Sequence, residues 1–400
     1  MQTGVHHIDG TFHSRAVAEW RYSVDMTEGV FDPDNELLAG YCEGRQVLVF
    51  SSGVVDSLYG EAVRAYFAAH LPEGSWQYVV LPTGEHNKNL RSVEAICEHA
   101  KEARIDRHGL LVAVGGGIVC DIVGFAASIY KRGIGFIKVN TTLVGQIDVG
   151  VGIKTGVNFL ASKNMVGTYY PAHASINDPR LLQSLPARQI SCGLAEIIKM
   201  AIIVSAELFE LLEVHVASIR ARRFADGSVQ DGQRDLKVLT MAIRLMMDEL
   251  CPNLQERELA RLVDFGHSFS PMMEIESDHQ LHHGEAVAID MALSARIAVR
   301  LGLLSEADCA RILALLVASG LPVYHAATCS AALLVEALRD MVLHRGGRVN
   351  LVVPTGLGCA DFIRHSEALP AELVAAAADD LRRYCNTRAA LSEEDVHALA

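Results

Sequence analysis

Three times in the first 130 residues a short apolar strand-like run passes through a turn into a helix-like stretch, and this alternation limits the fold more than any other feature of the chain. Gln46 to Ser51 ends at Ser52 and Gly53 before the amphipathic stretch Val54 to His70. Tyr78 to Leu81 stops at Pro82, Thr83, Gly84 and Glu85, and Leu110 to Val114 stops at Gly115, Gly116 and Gly117 before Ile118 to Tyr130. Repeated strand, turn and helix predict a parallel sheet covered by helices on both faces. After about Leu181 the spacing becomes helical, through Ser191 to Glu213, Gln233 to Leu250, Glu285 to Leu301 and Ala331 to Leu343. Leu351 to Pro354 is the one late strand candidate, and the alanine-rich Ala371 to Ala378 reads as a helix. The expected fold class is therefore a Rossmann-like α/β N-terminal domain, residues 1–182, followed by a mostly α-helical C-terminal domain, residues 183–400.

Composition narrows the function classes. With 35 Lys and Arg against 48 Asp and Glu, the 400-residue chain carries −13 with histidines neutral. Duplex affinity comes largely from neutralising phosphates with cationic side chains, so this balance argues against a nucleic-acid partner. The nine cysteines are scattered and contain no C-x-x-C, a pattern that fits a reducing compartment and opposes both a disulfide framework and a thiolate zinc site. No run approaches the ~20 apolar residues of a membrane span, and Met1 to Arg21 lacks the apolar core of a signal peptide. The expected location is cytoplasmic.

Several residues could carry chemistry. Glycines at 115–117, between a buried strand and a helix start, would let backbone N–H groups approach a phosphate, although a tight turn explains them as readily. They do not form G-x-G-x-x-G, so the usual dinucleotide fingerprint is absent. Asp121 either serves a ligand or supports the helix dipole. Glu85 and Lys88 lie in a loop after a strand, where a solvated turn is the plainer reading. Between Arg132 and Asn164, polar residues including Lys138, Asn140, Thr141, Thr142, Gln146, Asp148, Lys154, Asn158 and Lys163 alternate with apolar ones. That pattern suggests side chains converging on an anionic or hydroxyl-rich ligand such as a sugar phosphate.

Farther along, Glu196 and Lys199 stand three residues apart on one helix face, which by itself describes an ion pair. Two histidine segments follow, Asp264 to Pro271 around His267 and His282 to Glu285 around His283. One carboxylate and two imidazoles, Glu196, His267 and His283, would make a three-ligand metal site with a position left open. A lone histidine is more often structural, and sequence alone does not show convergence.

The ordered series Gly115 to Asp121, Tyr130 to Gly133, Thr141 to Leu143, Gln146 to Asp148, Lys154 to Asn158, Lys163 and Asn164, Gly193 to Lys199, Phe265 to His267 and His283 to Glu285 resembles the dehydroquinate synthase superfamily, the sugar phosphate cyclases, over roughly residues 45–360. The resemblance implies NAD bound by the N-terminal domain, a divalent metal (zinc, with cobalt as an alternative) held by Glu196, His267 and His283, an active site between the domains, and a homodimer. It implies substrate contacts from Asp148, Lys154, Lys163, Asn164 and Lys199, and an Arg132 that reaches the phosphate in the neighbouring subunit. Glu85, Lys88, Gly115, Gly116, Gly117, Asp121, Thr141 and Thr142 match nucleotide-contacting positions, with Lys154 and Lys163 beside them. The implied chemistry is transient oxidation of an alcohol by NAD, β-elimination of phosphate, return of the hydride, ring opening and an intramolecular aldol closure.

Departures from the pattern point to a branch. Asp264 stands where dehydroquinate synthases carry asparagine, Pro271 where they carry a second histidine, and Met241 and Ala260 where they carry cations, although Arg261 is adjacent to the last. The segment from Asp340 to Arg345 replaces an expected Asp-Lys-Lys pattern, and its His344, with Asp264, joins the candidate catalytic set. A missing ion-pair partner in a closed site leaves a charge uncompensated, so the expected substrate lacks a carboxylate. The pattern is similar to that of the cyclases acting on sedoheptulose 7-phosphate.

Overall fold

A computed structural model describes residues 4–398 except 9, 18, 83, 161, 225–227, 279 and 345. A hairpin of β1 (Gly4–Ile8) and β2 (Thr11–Arg15) precedes β3 (Ser23–Met26) and α1 (Leu37–Cys42). The predicted alternation follows as β4 (Val47–Ser52), α2 (Gly53–His70), β5 (Trp76–Leu81), α3 (Leu90–Glu102), β6 (Leu110–Gly115), α4 (Gly117–Ile129) and β7 (Gly135–Asn140). An antiparallel hairpin, β8 (Lys154–Phe159) and β9 (Ser162–Tyr169), and then β10 (Ala174–Asn177) complete this half.

Six strands form one parallel sheet in the order β3-β10-β7-β6-β4-β5. Strand periodicity divides its side chains between two cores. Leu48, Phe50, Leu111 and Ala113 pack with α3 and α4, whereas Val47, Val49, Val112 and Val114 pack with α1 and α2. Ser52 turns the chain from β4 into α2, its Oγ accepting the Val55 N–H at 3.1 Å. The strand order reverses between β4 and β6, so the crevice beyond their carboxyl ends is the ligand-binding position expected for an open α/β sheet.

The second half contains α5 (Ala187–Val204), α6 (Ala206–Arg222), α7 (Val229–Leu250), α8 (Ser270–Glu276), α9 (His283–Arg300), α10 (Glu306–Ala318), α11 (Ala331–His344), β11 (Leu351–Gly356), β12 (Cys359–Ile363) and α12 (Ala371–Ala398). α5 and α9 are buried on almost every face and run through the middle of a single large apolar cluster. Among the described residues no helix is long and apolar enough to cross a membrane.

Three expectations need correction. The run Ser191 to Glu213 is two helices, broken at Ser205, whose Oγ accepts the Leu208 N–H at 3.2 Å and caps α6. The late strand has a partner, β12, whose alternating exposed and half-buried residues gave no apolar run to recognise. The polar residues after Arg132 also do not all converge on a ligand. Lys138 Nζ donates to the Val149 and Gly152 carbonyls at 2.7 and 3.0 Å. Asn140 donates to Ser175 Oγ and Asn177 Oδ1, and Gln146 to the carbonyls of Asn140 and Asp178. These three buried groups hold the π-helical turn Gly145–Val149, which carries Asp148.

Candidate functional site

Glu196 is fully buried on α5, facing the N-terminus of α9. The close approach depends on Gly284: a Cβ there would stand 2.3 Å from the Cys192 carbonyl oxygen and 2.4 Å from its Cα. With no side chain at Gly284, the first turn of α9 packs directly on α5. His283 Nε2 thereby comes to 3.2 Å from Glu196 Oε1, and His267 Nε2 lies 3.7 Å from the same oxygen. One donor atom from each of Glu196, His267 and His283 lies within 4.8 Å of the others. Tetrahedral ligands at zinc distances of roughly 2.0–2.1 Å would stand about 3.3 Å apart, so the spacing suits such an ion.

Three observations test the fit further. Neither Glu196 oxygen has a hydrogen bond of acceptable geometry, although Lys199 Nζ lies 2.5 Å from Oε2, and an orphaned buried carboxylate is the group a cation would satisfy. His267 Nδ1 stands 3.1 Å from the Phe265 carbonyl oxygen, which places its proton there and leaves the Nε2 lone pair facing the cluster. His283 Nδ1 lies 3.0 Å from Glu274 Oε1, the carboxylate–histidine arrangement that orients a metal-binding imidazole. The three residues therefore fit a divalent metal.

Electrostatics separate the two histidines. Burial, reinforced by the Lys199 ammonium, pushes His267 down to about 4, so it is a neutral donor near pH 7. Burial opposes charge on His283 too, but Glu196 and Glu274 outweigh it and carry this imidazole up to about 10. Burial would raise Glu196, yet Lys199 and the two imidazoles hold it well below the usual carboxylate range. Glu274 behaves alike: its burial is outweighed by His283 and Lys163, which hold it at about 2. Lys199 loses by burial but gains more from Glu196 and Asp148, so its pKa is raised and it stays an ammonium.

Around this cluster the expected site residues fall into linked pairs. Lys163 on β9 bonds Glu274 at 2.6 Å and lies 3.9 Å from Glu85, which accepts from Asn158 at 2.7 Å. Lys88 bridges Asp121 at 2.6 Å and Asn164 Oδ1 at 2.5 Å, so Asp121, inside α4, is held by a cation from the neighbouring loop. Lys154, 62 % exposed, meets Glu256 at 2.7 Å. Glu256 also pairs with Arg261, which bonds Asp264 at 2.5 Å. Asp148 and Asp264 both lie close enough to Lys199 to favour its charge.

At the sheet edge, α4 begins at Gly117 with no side-chain cap, so its first N–H groups face the crevice. Thr141 N–H donates to the Gly115 carbonyl at 3.0 Å, and Thr142 Oγ1 accepts from Gly145 N–H at 3.1 Å. Gly115, Gly116, Gly117, Thr141 and Thr142 thus form one wall, and an uncapped helix N-terminus behind glycines suits a dinucleotide pyrophosphate. Arg132 stands apart, exposed on the turn Tyr130–Arg132 with no ion pair among the described residues. His344 ends α11, and its side chain lies outside the described residues.

Sequence reasoning missed Glu256, Glu274 and Asp290. Asp290, wholly buried on α9, accepts the backbone N–H groups of Ser268, Phe269 and Ser270 at 2.7, 2.5 and 3.0 Å, and so fixes the loop directly after His267. Asp290→Ala leaves those donors unmet, at a cost of about 3 kcal/mol or more. Because the loop orients His267, metal affinity should fall on the order of 10- to 100-fold, the range for groups that position a ligand. Thermal unfolding and metal titration of the variant check both effects, and unchanged metal affinity would separate Asp290 from the site.

A family model described as 3-dehydroquinate synthase N-terminal matches residues 78–192, and one described as 3-dehydroquinate synthase C-terminal matches residues 193–342. The chain is 55 % identical to a 2-epi-5-epi-valiolone synthase of Streptomyces glaucescens over 385 residues, 96 % of this chain and 97 % of the relative. Its fold superposes with a TM-score of 0.87 on ValA, the 2-epi-5-epi-valiolone synthase of Streptomyces hygroscopicus subsp. jinggangensis 5008 solved with NAD+ and Zn2+ bound; identity is 39 %, covering 93 % of this chain and 99 % of ValA. A 2-deoxy-scyllo-inosose synthase solved with carbaglucose-6-phosphate, NAD+ and Co2+ shares the fold at a TM-score of 0.75 and 24 % identity, covering 88 % and 96 %.

Proposed function

We propose, because this chain belongs to the 3-dehydroquinate synthase family, that it is a sugar phosphate cyclase converting sedoheptulose 7-phosphate to 2-epi-5-epi-valiolone with loss of inorganic phosphate. In this reading it is a carbon–oxygen lyase using NAD and zinc. The observation that carries it is the Glu196–His267–His283 cluster beside a cleft in which Lys88, Lys154, Lys163, Lys199 and Arg261 each face a carboxylate of the protein itself. No cation in that set is left over for a carboxylate on the substrate. Met241 packs against the helical core and Pro271 is the second residue of α8, so two positions where dehydroquinate synthases carry basic groups are apolar here. The 55 % identity to a 2-epi-5-epi-valiolone synthase supports that product over desmethyl-4-deoxygadusol and 3-dehydroquinate, whose synthases are less similar; 2-epi-valiolone from the same substrate is the alternative product.

Glu196, His267 and His283 would hold the metal, and the wall from Gly115 to Gly117 with Thr141 and Thr142 would hold NAD. When bound, the metal supplies a Lewis acid and NAD a hydride acceptor. The rest of the work belongs to this chain's side chains. Lys199, buried and charged between Glu196 and Asp148, would fix a hydroxyl oxygen and stabilise negative charge developing on it. Asp148 would accept a hydroxyl hydrogen, and Asn164 would orient a further hydroxyl. Lys163 and Glu274 tie the β8–β9 hairpin to α8, so substrate enters a cleft whose two sides are already joined. We further propose the division at residues 182 and 183, a cytoplasmic homodimer, and Arg132 reaching the phosphate in the neighbouring subunit.

The test is direct. Protein supplied with NAD and zinc should release one phosphate per sedoheptulose 7-phosphate and accumulate no NADH, because the hydride returns. Net NADH without phosphate release would instead identify a metal-dependent polyol dehydrogenase.

A further inference from the structure

A cavity of about 500 Å³ is walled by Arg257, Glu258, Ala260, Arg348, Asn350 and Arg364. Among the described residues, none of the three arginines lies within salt-bridge distance of a carboxylate; Arg257 donates to Gln255 and Arg364 stacks over Phe362. Glu258 spends one carboxylate oxygen on the Ala260 N–H at 3.2 Å. Three guanidinium groups and one carboxylate leave the cavity cationic in a chain whose net charge is −13. Such a concentration of unneutralised charge costs self-repulsion unless an anion visits it.

The cavity and the cleft share a wall. From Glu256 to Asp264 the chain sends Glu256, Arg261 and Asp264 into the cleft's ion-pair network, while Arg257 and Ala260 line the cavity. Arg348 follows Gly346 and Gly347, both with positive φ, so a tight turn presents it beside Asn350 and the start of β11. The cavity offers planar guanidinium forks that match phosphate oxygens and that no carboxylate among the described residues already pairs.

We propose that the cavity walled by Arg257, Arg348 and Arg364 is a binding site for a phosphate dianion. Its occupant is inorganic phosphate, the ion released in the proposed reaction; the substrate's own phosphate stays in the cleft with Arg132 of the neighbouring subunit. The assignment of the substrate rests on the function proposed above; the site itself does not.

Holoenzyme with Arg257→Gln and Arg348→Gln combined, with Arg348→Lys, and with Arg364→Gln as an independent second variant tests the site. Inorganic phosphate should bind the unaltered enzyme and bind the double variant about 10- to 100-fold more weakly, the range for losing charge-assisted hydrogen bonds, with Arg348→Lys and Arg364→Gln in between. Inhibition by inorganic phosphate should weaken in step, while KM for sedoheptulose 7-phosphate stays within about twofold; a KM rise that tracks the lost phosphate binding would overturn the assignment to the released ion. Phosphate binding unchanged within about twofold in the double variant and in Arg364→Gln, with thermal unfolding showing both folded, would overturn the proposal. Should the unaltered enzyme fail to turn over sedoheptulose 7-phosphate, the functional reading falls while the phosphate titration still decides the site.

Discussion

His267→Ala should cost the enzyme its metal and its turnover together. In the proposed site His267 would supply one of three ligand atoms, and its Nδ1 is already committed to the Phe265 carbonyl, so the tautomer with a free Nε2 lone pair is built into the loop. Water entering in place of the imidazole would have no second group to orient it. The expected loss of metal affinity exceeds the roughly 10- to 100-fold that follows removal of a merely orienting group. Since the bound ion's stabilisation of developing charge is worth several kcal/mol, turnover should fall by about 1000-fold or more. Metal content after dialysis and phosphate release measured on the same sample check both. Full metal content in a folded His267→Ala protein would take His267 out of the ligand set. The fold should survive, because His267 makes one side-chain contact of this kind while Asp290 holds the backbone beside it.

Gly116→Val should remove NAD binding while leaving the metal cluster intact. A Cβ at Gly116 would stand 2.9 Å from Thr142 Cγ2, inside any normal contact, and the remaining valine methyls would crowd the uncapped start of α4. Backbone N–H groups at a helix start recognise phosphate only if it can reach them. Loss of that approach should weaken NAD by at least about 100-fold, or about 2.7 kcal/mol. Fluorescence or calorimetric titration with NAD, run beside zinc titration, separates this from general damage. Normal NAD affinity in Gly116→Val would move the nucleotide away from this wall.

Much of this was readable in the chain. Buried strands such as Leu110 to Val114 are continuous apolar runs because both faces are covered, and their glycine and serine ends mark the turns into α2 and α4. Glu196, His267 and His283 could be named as a possible triad, but their convergence depends on Gly284 letting α9 pack against α5, which no spacing along the chain reveals. Glu274 and Glu256 were invisible for a related reason. Besides a nearer partner, Arg261 for Glu256 and His283 for Glu274, each is tied to the cleft by a cation more than a hundred residues away, Lys154 or Lys163, which no local spacing reveals. Lys138, Asn140 and Gln146 misled in the opposite sense. Polar residues alternating with apolar ones looked like ligand contacts, yet they satisfy buried backbone and side-chain groups around the turn that carries Asp148.

The picture of the cleft's charge is sharper for the structure. Lys88, Lys154, Lys163 and Lys199 pair with carboxylates of the protein, so the discrimination against a carboxylated sugar phosphate that we propose would come from the lack of a free partner among them rather than from steric exclusion. The most direct measurement supplies enzyme, NAD and zinc with sedoheptulose 7-phosphate, 3-deoxy-arabino-heptulosonate 7-phosphate or glucose 6-phosphate, and follows phosphate release and the NMR spectrum of the product. Phosphate release from sedoheptulose 7-phosphate, with the NMR signature of 2-epi-5-epi-valiolone, is the predicted result; turnover of the carboxylated heptulosonate alone would contradict it.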